Sequence, residues 1–205
     1  MEIHGMSHTN QISSIDLLTM VNFQKTLNFM QSTLGDELKI KFRQAVEGFN
    51  YAEADSLYQW KSHNRYIIAN SLSSKKWNVW CGLGYFEMNP ESLTEYPYIG
   101  IIIEVSPGFK NRQKIIDFMQ KIITSKPHIW MGYHLNSPSA WSHISYRKSL
   151  REFLSEEDHL SCIKDFFSNC IDEMRDIQSE FDFPWDVLKD ESTKESSTIS
   201  MSSPI

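Results

Sequence analysis

Glycine, proline and cysteine are all scarce in this chain, at eight, seven and three of 205 residues, and each scarcity closes a class of function. No glycine-rich loop of the kind that cradles a phosphate is present. Cys81, Cys162 and Cys170 form neither an even set nor a C-x-x-C pair, so a disulfide scaffold and a cysteine-based zinc module are excluded. The seven histidines are scattered, and none makes H-E-x-x-H. No apolar run approaches the ~20 residues that cross a bilayer. The longest, residues 101–105, is interrupted by Glu104. Residues 1–10 are polar and carry no secretion-type apolar core. Unpaired thiols fit a reducing compartment, so a cytoplasmic location is expected, with no membrane contact. No cofactor motif is found, and no cofactor is expected.

The chain is rich in apolar and aromatic residues, with six Trp, eight Tyr and twelve Phe, which excludes bulk disorder. The length suffices for a core without metals or disulfides. Residues 1–12 are polar and are expected to be mobile. Ser13, Ser14 and Asp16 form a helix start, followed by Leu17, Leu18, Val21, Leu27 and Met30 at mostly helical spacing. Leu38, Phe42, Val46 and Phe49 predict a second helix, and the two are expected to pack as a hairpin. Strands are predicted at 66–69, 77–86 and 98–105. The last is apolar nearly throughout, which predicts a central strand buried on both faces.

Pro107-Gly108 ends that strand. Ile115, Phe118, Met119, Ile122 and Ile123 then make one helical stripe. A strand is predicted over 128–135, with Met131 and Tyr133 on one side and Trp130 and Gly132 on the other. Another is predicted over 141–146. The clearest helix starts with Ser155 as N-cap and Asp158 three residues on. Its stripe is Leu160, Ile163, Phe167, Cys170, Met174, Ile177 and Phe181, and Cys162 and Cys170 are read as packing residues. Residues 189–205 are rich in Ser and Thr and are expected to be a disordered tail. Short connections between strands imply antiparallel pairing. The expected fold is α+β: one domain over 13–188, with a largely antiparallel sheet of about five strands. An N-terminal helical hairpin, one mid-chain helix and a long C-terminal amphipathic helix accompany the sheet.

Charge is segregated along the chain. Residues 105–151 hold eight bases against one acid, whereas residues 152–195 hold fourteen acids against four bases. The basic segment is interleaved with aromatics, a combination that holds phosphates and stacks bases. Lys110, Arg112, Lys114, Trp141, Arg147, Lys148 and Arg151 are therefore the candidate phosphate or nucleic-acid residues, with a helix start near Asn111 adding its preference for anions. The bland reading is that the basic segment pairs with the acidic helix, within the chain or between subunits.

Catalytic signals are weak. Helix, three strands, helix, strand is also the bare order in the core of the PD-(D/E)xK nucleases, an analogy of fold alone. Such a site needs an acid on one strand and Glu-x-Lys on the next to hold Mg²⁺. Here Glu104-Val105-Ser106 supplies the glutamate and places serine where lysine is required, with Glu87 as the other acid. Glu104 is the one candidate metal ligand; its alternative is a strand-end carboxylate paired with Lys110 or Arg112. His134, His143, Asp117, Ser137 and Ser139 lack the G-x-S-x-G elbow of a nucleophilic site. Glu53 and Asp55 are read as solvated.

The expected function is that of a non-enzymatic binding or adaptor subunit of an intracellular complex. It would act through protein contacts, with another protein or a second copy of itself as partner. The alternative is a nucleic-acid- or phosphate-binding protein using residues 105–151, on a catalytically silent nuclease-like fold.

Overall fold

The most apolar segment becomes the middle of the sheet. In the computed structural model, which describes residues 37–46, 50–53, 65–73, 77–86, 98–153 and 157–188, a strand β4 covers Tyr98–Val105. It is preceded by a helix α1 at residues 37–45, β1 (Asn50–Glu53), β2 (Arg65–Ser71) and β3 (Val79–Phe86). It is followed by α2 (Arg112–Ser125), β5 (Met131–Tyr133) and β6 (Ser142–Ser149). A 3₁₀ turn at Leu150–Phe153 leads to α3 (His159–Glu180), and residues 185–188 add one helical turn. The sheet is antiparallel throughout in the order β1-β2-β3-β4-β6-β5.

The α+β class, single domain and antiparallel sheet match expectation. The sheet of about five strands has six among the described residues. The extra one, β1, carries Glu53 and escaped notice because four residues give too short a stretch for alternation to register. Only β5's three central residues of 128–135 pair, because residues 127–129 turn and His134 takes a left-handed φ of 54°. Of the predicted helical hairpin, the first arm lies outside the described residues, as do the segments 1–12 and 189–205, Asp55 and Glu87. The second arm is α1.

Alternation along β4 sorts its side chains. Ile99, Ile101, Ile103 and Val105 are fully buried in one core cluster with Ile115, Ile116, Phe118, Met119 and Ile122 of α2 and Phe166, Phe167, Cys170 and Met174 of α3. Both helices thus cover one face of the sheet. Each buried isoleucine contributes about 2 kcal/mol by leaving water. Tyr98, Gly100, Ile102 and Glu104 point to the other face. Gly100 is dictated by close approach: a Cβ there would sit 2.0 Å from the Tyr146 carbonyl oxygen on β6.

Polar contacts lock the helices together. Lys126, just past α2, reaches Glu173 at 2.8 Å and Glu180 at 3.0 Å on α3. Burial alone would lower its pKa, but the two carboxylates outweigh it and raise the pKa. The Trp130 indole, almost fully buried, also donates to Glu173, at 3.1 Å. Lys41 on α1 bonds Asp172 of α3 at 2.6 Å, and Gln178 donates to the Ala45 carbonyl. The cap of α3 is Asp158, not Ser155: its carboxylate accepts from the Ser161 N–H at 3.1 Å, which holds its pKa below the ordinary value. Cys81 and Cys170 are buried, and burial pushes both thiols up, so they stay protonated and serve as packing residues.

Candidate functional site

The strand registers build a continuous row of side chains across the sheet face turned away from α2 and α3. Trp80 on β3 pairs with Glu104 on β4, Glu104 with His143 on β6, and His143 with Tyr133 on β5. At about 4.8 Å per strand the row spans roughly 14 Å. A neighbouring row runs Gly82, Ile102, Ser145 and Met131. Gly82 gives the aromatic end its shape. A Cβ there would sit 2.7 Å from the Trp80 ring and 2.9 Å from the Tyr66 ring, so its absence lets both rings lie down on the sheet. Tyr66 and Trp80 meet edge to face at 5.0 Å, and Trp77 meets Trp80 at 6.4 Å.

Glu104 sits in the middle of this row. Its Oε2 accepts from the Trp80 indole N–H at 2.9 Å, while its Oε1 is 3.8 Å from His143 Nδ1. Burial raises its pKa from the ordinary 4.5 to about 7, and the Trp80 hydrogen bond opposes that rise. The carboxylate is still one-fifth exposed. Tyr133 stacks on His143 at 5.1 Å and touches His134 at 3.9 Å. Large hydrophobics crowd the rim: Tyr133 is 56% exposed, Met131 45%, Trp141 43% and Trp77 39%.

The basic candidates do not converge. Lys110, Arg112, Lys114 and Trp141 lie at the end of the sheet where β4 finishes and β6 begins, since Val105 pairs with Ser142. Arg147, Lys148 and Arg151 lie at the opposite end, near the Tyr98–Ser149 pair. Seven residues of strand separate the ends, about 23 Å. Several of these bases also have fixed neighbours. Arg112 donates to the Ser137 and Ala140 carbonyls at 2.9 and 3.2 Å and to Ser142 Oγ, so it ties down the loop before β6. Arg147 lies 4.2 Å over the Tyr98 ring, and Lys148 lies 5.4 Å over Phe166. Lys110, Lys114 and Arg151 are exposed.

Glu104 meets neither Lys110 nor Arg112, and Ser106 Oγ donates to Asn78. Among the described residues, no group of three or more His, Cys, Asp and Glu is placed to hold a metal ion. Among the described helices, none is long and apolar enough to cross a membrane. The Trp80–Glu104–His143–Tyr133 row escaped sequence reading because its members lie far apart in the chain. The alternation of each strand was legible, whereas the register that aligns them is a property of pairing. No family model, curated protein or solved structure matches this chain.

Proposed function

We propose that the chain is a binding subunit that receives a protein partner on the sheet face opposite α2 and α3. The observation that supports this is the exposure of Met131, Tyr133 and Trp77 along one face, around a half-buried polar row. Aromatic and methionine side chains supply the apolar area that centres a protein interface, and a folded domain gains nothing by leaving them wet together. β5 is also the last strand of the sheet and is exposed along its whole length. The phosphate-binding reading has less support, because its seven residues fall into two groups at opposite ends of the sheet.

The test uses the immobilised full chain and a double variant, Met131→Lys with Tyr133→Lys. Both side chains are already exposed, so stability should change by no more than about 0.5 kcal/mol. The wild type should retain defined protein partners as salt is raised from about 0.1 to 0.5 M, and the variant should lose them. An identical set retained by both, or no protein retained by either, would overturn the proposal. Oligonucleotide binding that falls steeply with salt would move the assignment to the phosphate reading.

A further inference from the structure

The docking face contains a feature that plain apolar contact does not need, a carboxylate at its centre. Glu104 is held between an indole and an imidazole, with Tyr66 and Trp77 packed on the Trp80 side and Tyr133 on the His143 side. One oxygen is committed to the Trp80 N–H; the other faces His143 across 3.8 Å, longer than a hydrogen bond. We propose that Glu104, with the Trp80 ring beside it and the Tyr133 ring beyond His143, receives a cationic side chain, an arginine or lysine, presented by the docking partner. This rests on the docking reading above and adds the chemistry of the residue recognised.

Three observations support it. First, a partly dehydrated carboxylate attracts a cation far more strongly than a solvated one, and the apolar parts of the rings around it keep water sparse. Second, aromatic faces attract cations in their own right, so Trp80, bonded to Glu104, adds to the same ligand. Third, among the described residues the base on this face lies elsewhere: Arg147 pairs with Gly100, four residues along β4 from Glu104, and is engaged over Tyr98. The charged or titratable groups facing Glu104 among the described residues are His143 from β6, with Tyr133 and His134 beyond it on β5; β3 contributes the neutral Trp80. The raised proton affinity of Glu104 adds a signature, since only the ionised form recruits a cation. Affinity should therefore rise between about pH 6 and pH 8.

The test does not need the partner. Nα-acetyl-arginine amide and Nα-acetyl-lysine amide are titrated to about 0.1 M into the full chain, against sodium chloride at equal ionic strength. The readout is the NMR signal of the Trp80 indole N–H, assigned by its loss in Trp80→Phe. A saturable shift at about pH 8 is expected, at least fivefold weaker at about pH 6 and absent in Glu104→Gln. The arginine and lysine arms distinguish which cation fits better. Glu104→Gln keeps an acceptor for Trp80, and the other indole signals report whether it has folded. The pH comparison within the wild type is independent of that variant. A shift that never saturates, that sodium chloride reproduces, or that persists in Glu104→Gln would overturn the proposal. The Met131 and Tyr133 test of docking does not depend on any of these outcomes.

Discussion

Replacing Glu104 by glutamine removes a charge that the fold holds at a loss. Burial raises the proton affinity of this carboxyl in the folded chain, taking its pKa from the ordinary 4.5 to about 7. Each tenfold change in proton affinity corresponds to about 1.4 kcal/mol. The neutral acid therefore stabilises the fold relative to the ionised one by about 3 kcal/mol. The sign follows from linkage. Because the folded pKa lies above the unfolded one, the stabilisation is complete below about pH 4.5 and is lost as pH rises through about 7. Glutamine is neutral at every pH and still offers an oxygen to the Trp80 N–H. Glu104→Gln should thus match the wild type near pH 4.5 and exceed it near pH 8 by about 3 kcal/mol, or roughly 6–12 °C in Tm for a chain of this size. Urea unfolding followed by tryptophan fluorescence across that pH range measures the difference. A gap that stays flat with pH, or a variant less stable than the wild type at the alkaline end, would refute the reasoning. The expected result would mean that the fold carries this carboxylate at a cost in stability, the pattern that functional sites impose.

Other substitutions test the packing. Gly100→Ala should destabilise by about 3 kcal/mol or more, because its Cβ would meet the Tyr146 carbonyl at 2.0 Å, whereas Gly108→Ala, with no atom within 4 Å, should cost less than about 0.5 kcal/mol; thermal melts compare the two. Phe167→Ala, at a fully buried position on α3, should cost about 3–5 kcal/mol in urea unfolding. Arg112→Gln removes the guanidinium that holds the Ser137 and Ala140 carbonyls, so amides over 134–141 should exchange faster with solvent while those of β4 do not.

Much of the fold was legible because periodicity is local. The stripes Ile115–Phe118–Met119–Ile122 and Ile163–Phe167–Cys170–Met174–Ile177 are buried as the spacing of each helix predicts. The apolar run of β4 did mark the middle of the sheet. Met131 and Tyr133 share the face that alternation assigned them. What sequence could not supply was the pairing itself. Trp80, Glu104, His143 and Tyr133 each read as an ordinary strand residue. They become a site only because three β-pairings, β3 with β4, β4 with β6 and β6 with β5, fall in registers that align them. A slip of one residue in any of them would turn Glu104, His143 or Tyr133 towards the other face instead.

The charge pattern misleads for a related physical reason. Eight bases in one segment look like a patch only if the segment stays together in space. An antiparallel sheet takes the chain out along one strand and back along another, so bases at the two ends of β6 sit a full strand length apart. The helix between them then disperses the rest over its own surface. Lys126 leaves the basic set altogether, because α2 and α3 pack on the same face and bring it against Glu173 and Glu180. The acidic helix and the basic segment are thus partly reconciled inside the fold, at a part-buried junction that Trp130 shares. Among the described residues, Glu104 on the opposite face has no such counterpart in its row beyond His143. On the docking proposal it is Glu104, rather than the run of bases, whose charge the partner would meet.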